Sequence, residues 1–405
     1  MPVKRESVSP AISGLAFGHR AQSLAIMPAV LLIQTCLGGV YAWSAFVPVL
    51  TKDYGLSMSC AQLIFGLAIL TFTIAMVVAG HLLSRWGPRR VALMGAGLFY
   101  AGHMITVQSD GCFRWLLGGY GLSVGAGIGF GYVAALSSGL QWFPQRRGVV
   151  AGVAVAGFGL GGILLASLTG KWTRAGWTLP EMFSAIGWAY GAALALGALL
   201  LFRPPGAAVH RKPDGFARLQ FLKSMGFRIL AAGMFCGTFA GLLVIGLLKP
   251  IGLAGGLSPE DTTVAIGGLA AGNVAGRVVW GWLYDRAGYC TIPAALLLLC
   301  LAIGGLLAAD GRSLVFIAAA SMVGLGFGAC FVLYAAHVTT VYGVDQVGRL
   351  YPLLFLSYGM AGIAGPGLGG VLHDWTGHYT ASLAVGALVA ALGAWLTRRP
   401  PAYCP

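Results

Sequence analysis

The sequence predicts an all-α membrane protein of twelve transmembrane helices, arranged as two pseudo-symmetric six-helix bundles. Three observations lead there. The 405 residues are 58% hydrophobic and only 9% charged, a composition that would coat a soluble protein in apolar surface. The apolar residues come in continuous runs of about 20 or more, enough to cross a hydrocarbon core as helices. Strict alternation, the mark of a membrane β-barrel, is missing. Finally, two sequence patterns recur at a spacing near 200 residues, which indicates a duplicated unit.

The apolar segments fall near 24–50, 59–83, 90–108, 113–140, 148–170, 179–202, 227–252, 262–284, 290–309, 313–341, 347–373 and 380–397. Several exceed the minimum span, which implies tilt. Lys4, Arg5 and Arg20 precede the first segment without a separate short apolar region and cleavage site, so it reads as a retained helix rather than a signal peptide. Of the 25 Lys and Arg, eighteen fall on the side of the termini, six on the opposite side, and Arg277 inside a segment. That asymmetry places both termini in the cytoplasm. The longest polar interruption, 203–226, is basic and contains Pro and Gly. It separates an N-terminal bundle, 1–202, from a C-terminal bundle, 227–405. The recurring patterns are GHLLSRWGPRR (80–90) with GWLYDRAGY (281–289), and GFGLGG (157–162) with GPGLGG (365–370).

Composition also excludes functions. The net charge of +14 comes from residues in short inter-helix loops, which favours a lipid bilayer and not nucleic acid as the partner. The eight cysteines are scattered, with no CxxC and no His/Cys cluster, so neither a disulfide framework nor a metal site is expected. GLSVGAGIGFG (121–131) contains glycine spacings like a nucleotide loop, but it lies inside an apolar helix with no strand before it. No cofactor site and no nucleophile constellation is evident, so an enzyme is not expected.

The most informative stretch is IGGLAAGNVAGRVVWGWLYDRAG, 266–288. A cation at mid-membrane costs from about 3 to more than 10 kcal/mol and so marks a functional site. Arg277 lies eight residues before Asp285, roughly 12 Å deep at 1.5 Å per residue, too deep for easy snorkelling. No Asp or Glu lies deep inside an apolar segment to neutralise it, Glu181 standing only third from the end of 179–202. The remaining partner is an anionic substrate, and a guanidinium suits a carboxylate bidentately. Asn273 lies four residues earlier, on the same helix face. Gly267, Gly268, Gly272 and Gly276 leave room for a close neighbour.

A duplicated twelve-helix chain with GxLxxRxG after its second and eighth helices resembles the major facilitator superfamily. GGVYAWSAF (38–46), QWFPQRRGVVAGVAVAGFGLGG (141–162), GLLVIGLLKPIG (241–252) and NVAGRVVWGWLYDRAG (273–288) resemble, within it, the oxalate/formate antiporter and bacterial monocarboxylate transporter group. The resemblance implies a bacterial inner-membrane secondary transporter, monomeric, working by alternating access. It implies a substrate-binding role for Arg277, assisted by Asn273 and by Tyr358, which stands where the oxalate exchanger has a lysine. It implies a cavity lined by Tyr41, Tyr132, Phe158, Phe327, Phe331 and Phe355. Gating would fall to Arg85, Arg89 and Arg90, with Arg146/Arg147 beside them, and to Asp285 and Arg286. Ser84 replaces the usual acid of the first gating motif, which weakens that latch. Asn273 replaces the aspartate that animal monocarboxylate carriers use in proton coupling. His337 is then the candidate proton relay, while His81, His103 and His373 read as packing or helix-end residues. Lys249 has two open readings, a substitute second cation or a lysine that snorkels to the surface.

The expected function is therefore transport of a monocarboxylate such as lactate, pyruvate or formate, by proton symport or anion exchange. Exchange of oxalate or another dicarboxylate is the alternative. A non-transporting membrane sensor is the alternative from another class, and the short tail after the last helix speaks against it. The lack of Asp and Glu in the spans disfavours a cationic drug pump.

Overall fold

The computed structural model describes residues 10–143, 145, 147–203 and 224–400. Helix α1 (Pro10–Gly38) continues into a 3-10 segment (Gly39–Ala45) and a short α2 (Val47–Lys52). Helix α3 (Met58–Val107) contains the second and third apolar segments. The fourth is α4 (Phe113–Leu116), a π-helical stretch (Leu117–Val124) and α5 (Gly125–Trp142). Helices α6 (Arg147–Arg174), α7 (Leu179–Leu199), α8 (Met225–Ala254) and α9 (Pro259–Ala287) are the fifth to eighth. A 3-10 turn (Gly288–Cys290) leads into α10 (Thr291–Leu307), followed by α11 (Ser313–Tyr342), α12 (Val344–Thr376) and α13 (Thr380–Leu396). The described residues contain no strand.

Nine stretches among the described residues are long and apolar enough to cross a membrane. Two of them, Met58–Val107 and Pro259–Leu307, are 50 and 49 residues long. Each crosses twice, because each turns at a glycine. Gly87 has φ 80°, and Pro88 starts the next helix where a missing N–H does no harm. Gly288 has φ 63°. Both are the last glycine of the recurring pattern, so the pattern's glycine supplies a left-handed backbone that a Cβ would strain. With the 17-residue α13 the predicted twelve segments are all accounted for.

The duplication reaches into the turns. Gly55 and Gly256, Asp110 and Asp310, Gly111 and Gly311, and Gly176 and Gly377 all have positive φ. Each pair is separated by about 200 residues, as are Gly87 and Gly288. Helix starts repeat as well. The Cys60 N–H donates to Ser57 Oγ (3.2 Å), and the Asp261 N–H donates to Ser258 Oγ (3.0 Å), so a serine caps both helices. The π stretch lies where Gly102 of α3 and Gly119 bring two backbones so close that a Cβ on either would collide with the other helix.

Helices from the first six segments meet those from the last six along two seams. In one, Gly66 of α3 lies against Gly362 and Ile363 of α12, and Gly359 lies against Thr73. In the other, Gly159, Gly162 and Gly170 of α6 face Val274, Ala270 and Thr263 of α9. Polar contacts reinforce the end of the molecule opposite the basic loops. Asp374 accepts from the N–H groups of Met58 (3.0 Å) and Ser59 (2.9 Å), and Arg174 pairs with Glu260 at 2.9 Å. The basic linker beyond Arg203, Arg146 and the side chain of Arg147 lie outside the described residues.

Candidate functional site

Helices α9 and α11 pack backbone to backbone. A Cβ at Gly272, Gly276, Gly324 or Gly328 would collide with the facing helix, at Ser321, Leu325, Leu269 and Asn273 respectively. This small-residue seam sets the register of the site. Gly328 lies against the backbone at Asn273 and Arg277, and one turn further along α11 comes Phe331. The Arg277 Cζ therefore sits 4.3 Å from the centroid of the Phe331 ring. Its Nε donates to Asn273 Oδ1 at 3.5 Å, a long bond at the edge of hydrogen-bonding range. Arg277 is half-buried, and the two ion pairs among the described residues do not involve it.

Magnitudes decide what this means. The cation–π contact is worth about 0.5–2 kcal/mol, and the long bond to Asn273 adds about 1 kcal/mol at most. Together they reach no more than the lowest estimate of what a guanidinium costs at this depth, about 3 kcal/mol, and no carboxylate among the described residues pairs with Arg277.

Around Arg277 the rings form one connected cluster containing every predicted aromatic residue. Tyr41 contacts Phe158 (5.3 Å between centroids) and Phe327 (5.8 Å). Tyr132 contacts Phe158 at 5.7 Å. Phe331 touches Phe327 (5.1 Å), Phe355 (5.9 Å) and Tyr358 (5.3 Å). The hydroxyls of Tyr41 and Tyr358 share a hydrogen bond of 3.1 Å, linking α12 to the 3-10 segment after α1.

Two further rings and one amide beside them were not singled out from sequence. Phe72 of α3 lies 6.2 Å from Tyr358 and 5.6 Å from Tyr132. The Tyr351 ring lies 5.6 Å from Phe355, tilted by 53°, and its hydroxyl donates to the Phe331 carbonyl at 2.9 Å. Gln34 Nε2 reaches the Tyr132 carbonyl at 3.5 Å. Phe72 carried no signal beyond being one of 20 phenylalanines. Tyr351 lies in the same helix and stretch as Phe355 and Tyr358, a proximity that could have found it.

The remaining candidates lie elsewhere. His337 is buried in α11, with Nδ1 2.9 Å from the Tyr284 hydroxyl and its ring 4.8 Å from Tyr289. His103 is buried and bonds the Phe99 carbonyl through Nδ1 at 2.9 Å, as a packing residue would. Lys249 is only 5% exposed, so it does not snorkel. Of the gating residues, Arg85, Arg89, Arg90, Asp285 and Arg286 are all exposed. Arg286 lies 3.6 Å over the Trp282 ring, and Arg89 lies 5.9 Å from Phe202. Arg203, read from sequence only as part of the linker, donates to the carbonyls of Leu83 and Ser84 and packs on Gly87. With Arg89, Arg90, Trp86 and Phe202 it lines an open cleft of about 570 Å³.

The Major Facilitator Superfamily family model matches residues 29–351 and 229–403. The chain belongs to the major facilitator superfamily. Superfamily chains are transporters rather than enzymes, and the apolar helices make this one an integral membrane protein. It is 26% identical to the oxalate:formate antiporter of Oxalobacter formigenes over 363 residues, covering 88% of this chain and 86% of the relative. It is 27% identical to monocarboxylate transporter 11 of Homo sapiens over 372 residues, covering 86% and 76%. Among solved structures, the crystal structure of a D-xylose-proton symporter matches with a TM-score of 0.74 at 14% identity, covering 92% of this superfamily member and 97% of that chain. That likeness confirms the fold.

Proposed function

We propose that the chain is a secondary active transporter of a small monocarboxylate, such as lactate, pyruvate or formate. The observation that carries this reading is Arg277, half-buried and without a counter-charge among the described residues, at the centre of a ring cluster drawn from both halves of the chain. Arg277 holds the carboxylate and Asn273 adds a neutral hydrogen bond. Tyr358 and Tyr41 offer hydroxyls, while Tyr132, Phe158, Phe327, Phe331 and Phe355 close over the apolar end. Residues 1–202 rock against 227–405 about the two seams, linked through 203–226. The gating set Arg85, Arg89, Arg90, Asp285 and Arg286 acts on the cytoplasmic face, with both termini there, in a bacterial inner membrane and as a monomer. The related antiporter and monocarboxylate transporter support a carboxylate.

Oxalate, suggested by the related antiporter, is the second reading. A dianion calls for a second cation beside Arg277. Tyr358 is neutral, and Lys249 lies far up α8, so charge balance favours a monoanion. The coupled movement is a proton or a counter-anion. Asn273 cannot carry a proton, which leaves His337 or the undissociated acid itself. His337→Gln separates these, since flattened pH dependence of uptake assigns the proton to His337 and an unchanged profile removes it.

The test is uptake of radiolabelled lactate, pyruvate, formate and oxalate into proteoliposomes. Arg277→Gln is expected to lower uptake of the accepted monocarboxylate about 100-fold or more, the loss of a charge-assisted pair. Undiminished uptake in that variant contradicts the assignment.

A further inference from the structure

Lys249 poses a separate question. It is a buried cation on a membrane-spanning helix, and neither ion pair among the described residues includes it. Its depth differs from that of Arg277. Lys249 lies five residues before the end of α8 at Ala254, and Arg277 lies eighteen residues after the start of α9 at Pro259. The short loop between puts those helix ends at one level. At 1.5 Å per residue the two cations lie about 8 and about 27 Å below it, so some 20 Å separates them in depth. No small dicarboxylate spans that distance, and Lys249 is not a second ligand at the Arg277 site.

Its direction is set by its neighbours. Successive residues of a helix turn by about 100°. Lys249 therefore lies midway between Gly246 and Gly252, about 60° from each. Gly246 faces α3, where Gln62 Nε2 donates to its carbonyl at 2.9 Å. Gly252 faces Thr262 of α9 and Phe316 of α11. Lys249 thus points into the wedge between α3 and the α9/α11 pair. The 3-10 segment fills the same wedge, since Tyr41 reaches Phe327 of α11 and Tyr358 of α12. A 3-10 helix has three residues per turn, so Ser44 points the same way as Tyr41, one turn further out. Ser44 Oγ is fully buried with no hydrogen-bond partner among the described residues, and a hydroxyl can donate to an anion; Gln62 Oε1 is likewise buried and unpartnered there, but an amide oxygen only accepts, so it suits the Lys249 ammonium and not an anion. Phe327 lies fourteen residues into α11, about 21 Å deep. The Tyr41–Phe327 contact therefore separates Lys249 from Arg277.

We propose that Lys249, with Ser44, forms a second anion station on the outer side of the ring seal, which takes the carboxylate before Tyr41 and Phe327 part to admit it to Arg277. This rests on the carboxylate reading above. Two cations at different depths on one axis give a small anion a stepwise path, and the seal between them keeps the steps from merging. The same placement makes Lys249 a liability to the folded state, since burying an unpaired cation is unfavourable.

The test places Ser44→Cys in the full chain in proteoliposomes and reads labelling above the parent by membrane-impermeant thiol reagents of opposite charge. The anionic reagent is expected to react about tenfold faster than the cationic one, also in the Arg277→Gln background, and Lys249→Gln is expected to remove that preference. Lactate, pyruvate or formate is expected to slow the reaction. Lys249→Met, which keeps the bulk and removes the charge, is expected to behave like Lys249→Gln and to raise the melting temperature. Equal rates with both reagents, no labelling at all, or a preference indifferent to Lys249 overturns the station while leaving Arg277 untouched. A Lys249-dependent preference that none of the carboxylates affects keeps an anion site there and removes the carboxylate reading.

Discussion

At the scale of single residues, Arg277 does its work through geometry as well as charge. A guanidinium presents a planar fork to a carboxylate, whereas an ammonium is a point charge. Arg277→Lys is therefore expected to keep part of the uptake, about tenfold below wild type and about tenfold above Arg277→Gln. Equal activity of the Lys and Arg forms contradicts bidentate binding. Tyr41→Phe removes the 3.1 Å bond to Tyr358 without changing the rings. A net hydrogen bond is worth about 1 kcal/mol, so labelling of outward-facing positions is expected to rise about fivefold. Arg277 was legible in the sequence because a lone cation in an apolar run has a high energetic cost and few explanations. Lys249 was not, because a lysine five residues from a helix end is compatible with snorkelling or burial until its neighbours are known. Its 5% exposure decides between them.

At the scale of elements, the seam between α9 and α11 carries the site. Gly276 and Gly328 leave no room for a Cβ against the facing backbone. Gly276→Leu is expected to force the helices apart, to destabilise the protein by 3 kcal/mol or more, and to abolish uptake even with Arg277 intact. Folded, active protein carrying that substitution contradicts the seam. The sequence foretold the small-residue face but not which helix it meets, because α11 carries a similar density of glycine and alanine. The doubled helices show the same division. The glycine-containing patterns at 80–90 and 281–289 were visible in the sequence, and the last glycine of each has positive φ and makes the turn. The Asp-Gly pairs at 110–111 and 310–311 were not singled out, although they are turn residues by type and their backbone angles repeat across the two halves. The π stretch was not legible; it lies where Gly102 and Gly119 meet on separate helices.

At the scale of the whole molecule, the contacts between the two halves concentrate from the ring cluster toward the end opposite the basic loops. Asp374 there accepts two backbone N–H groups at the start of α3, where the helix dipole favours an anion. Asp374→Asn is expected to loosen that end by about 1–2 kcal/mol, read as a roughly tenfold rise in labelling of positions facing it. Arg174→Ala breaks a pair whose side chains are 57% and 68% exposed, and it is expected to change neither stability nor labelling measurably. Duplication and bundle count were legible because they are written in periodic apolar runs. The closed end was not, because it depends on which halves touch. The most direct measurement for the account as a whole is the thermal stability of the purified protein with lactate, pyruvate, formate, acetate, oxalate and malonate, run beside Arg277→Gln. A ligand that binds the folded state raises its melting temperature in proportion to occupancy. At least one monocarboxylate is expected to raise the wild-type value and to leave Arg277→Gln unmoved. An equal shift in both proteins, or a shift with oxalate or malonate alone, contradicts it.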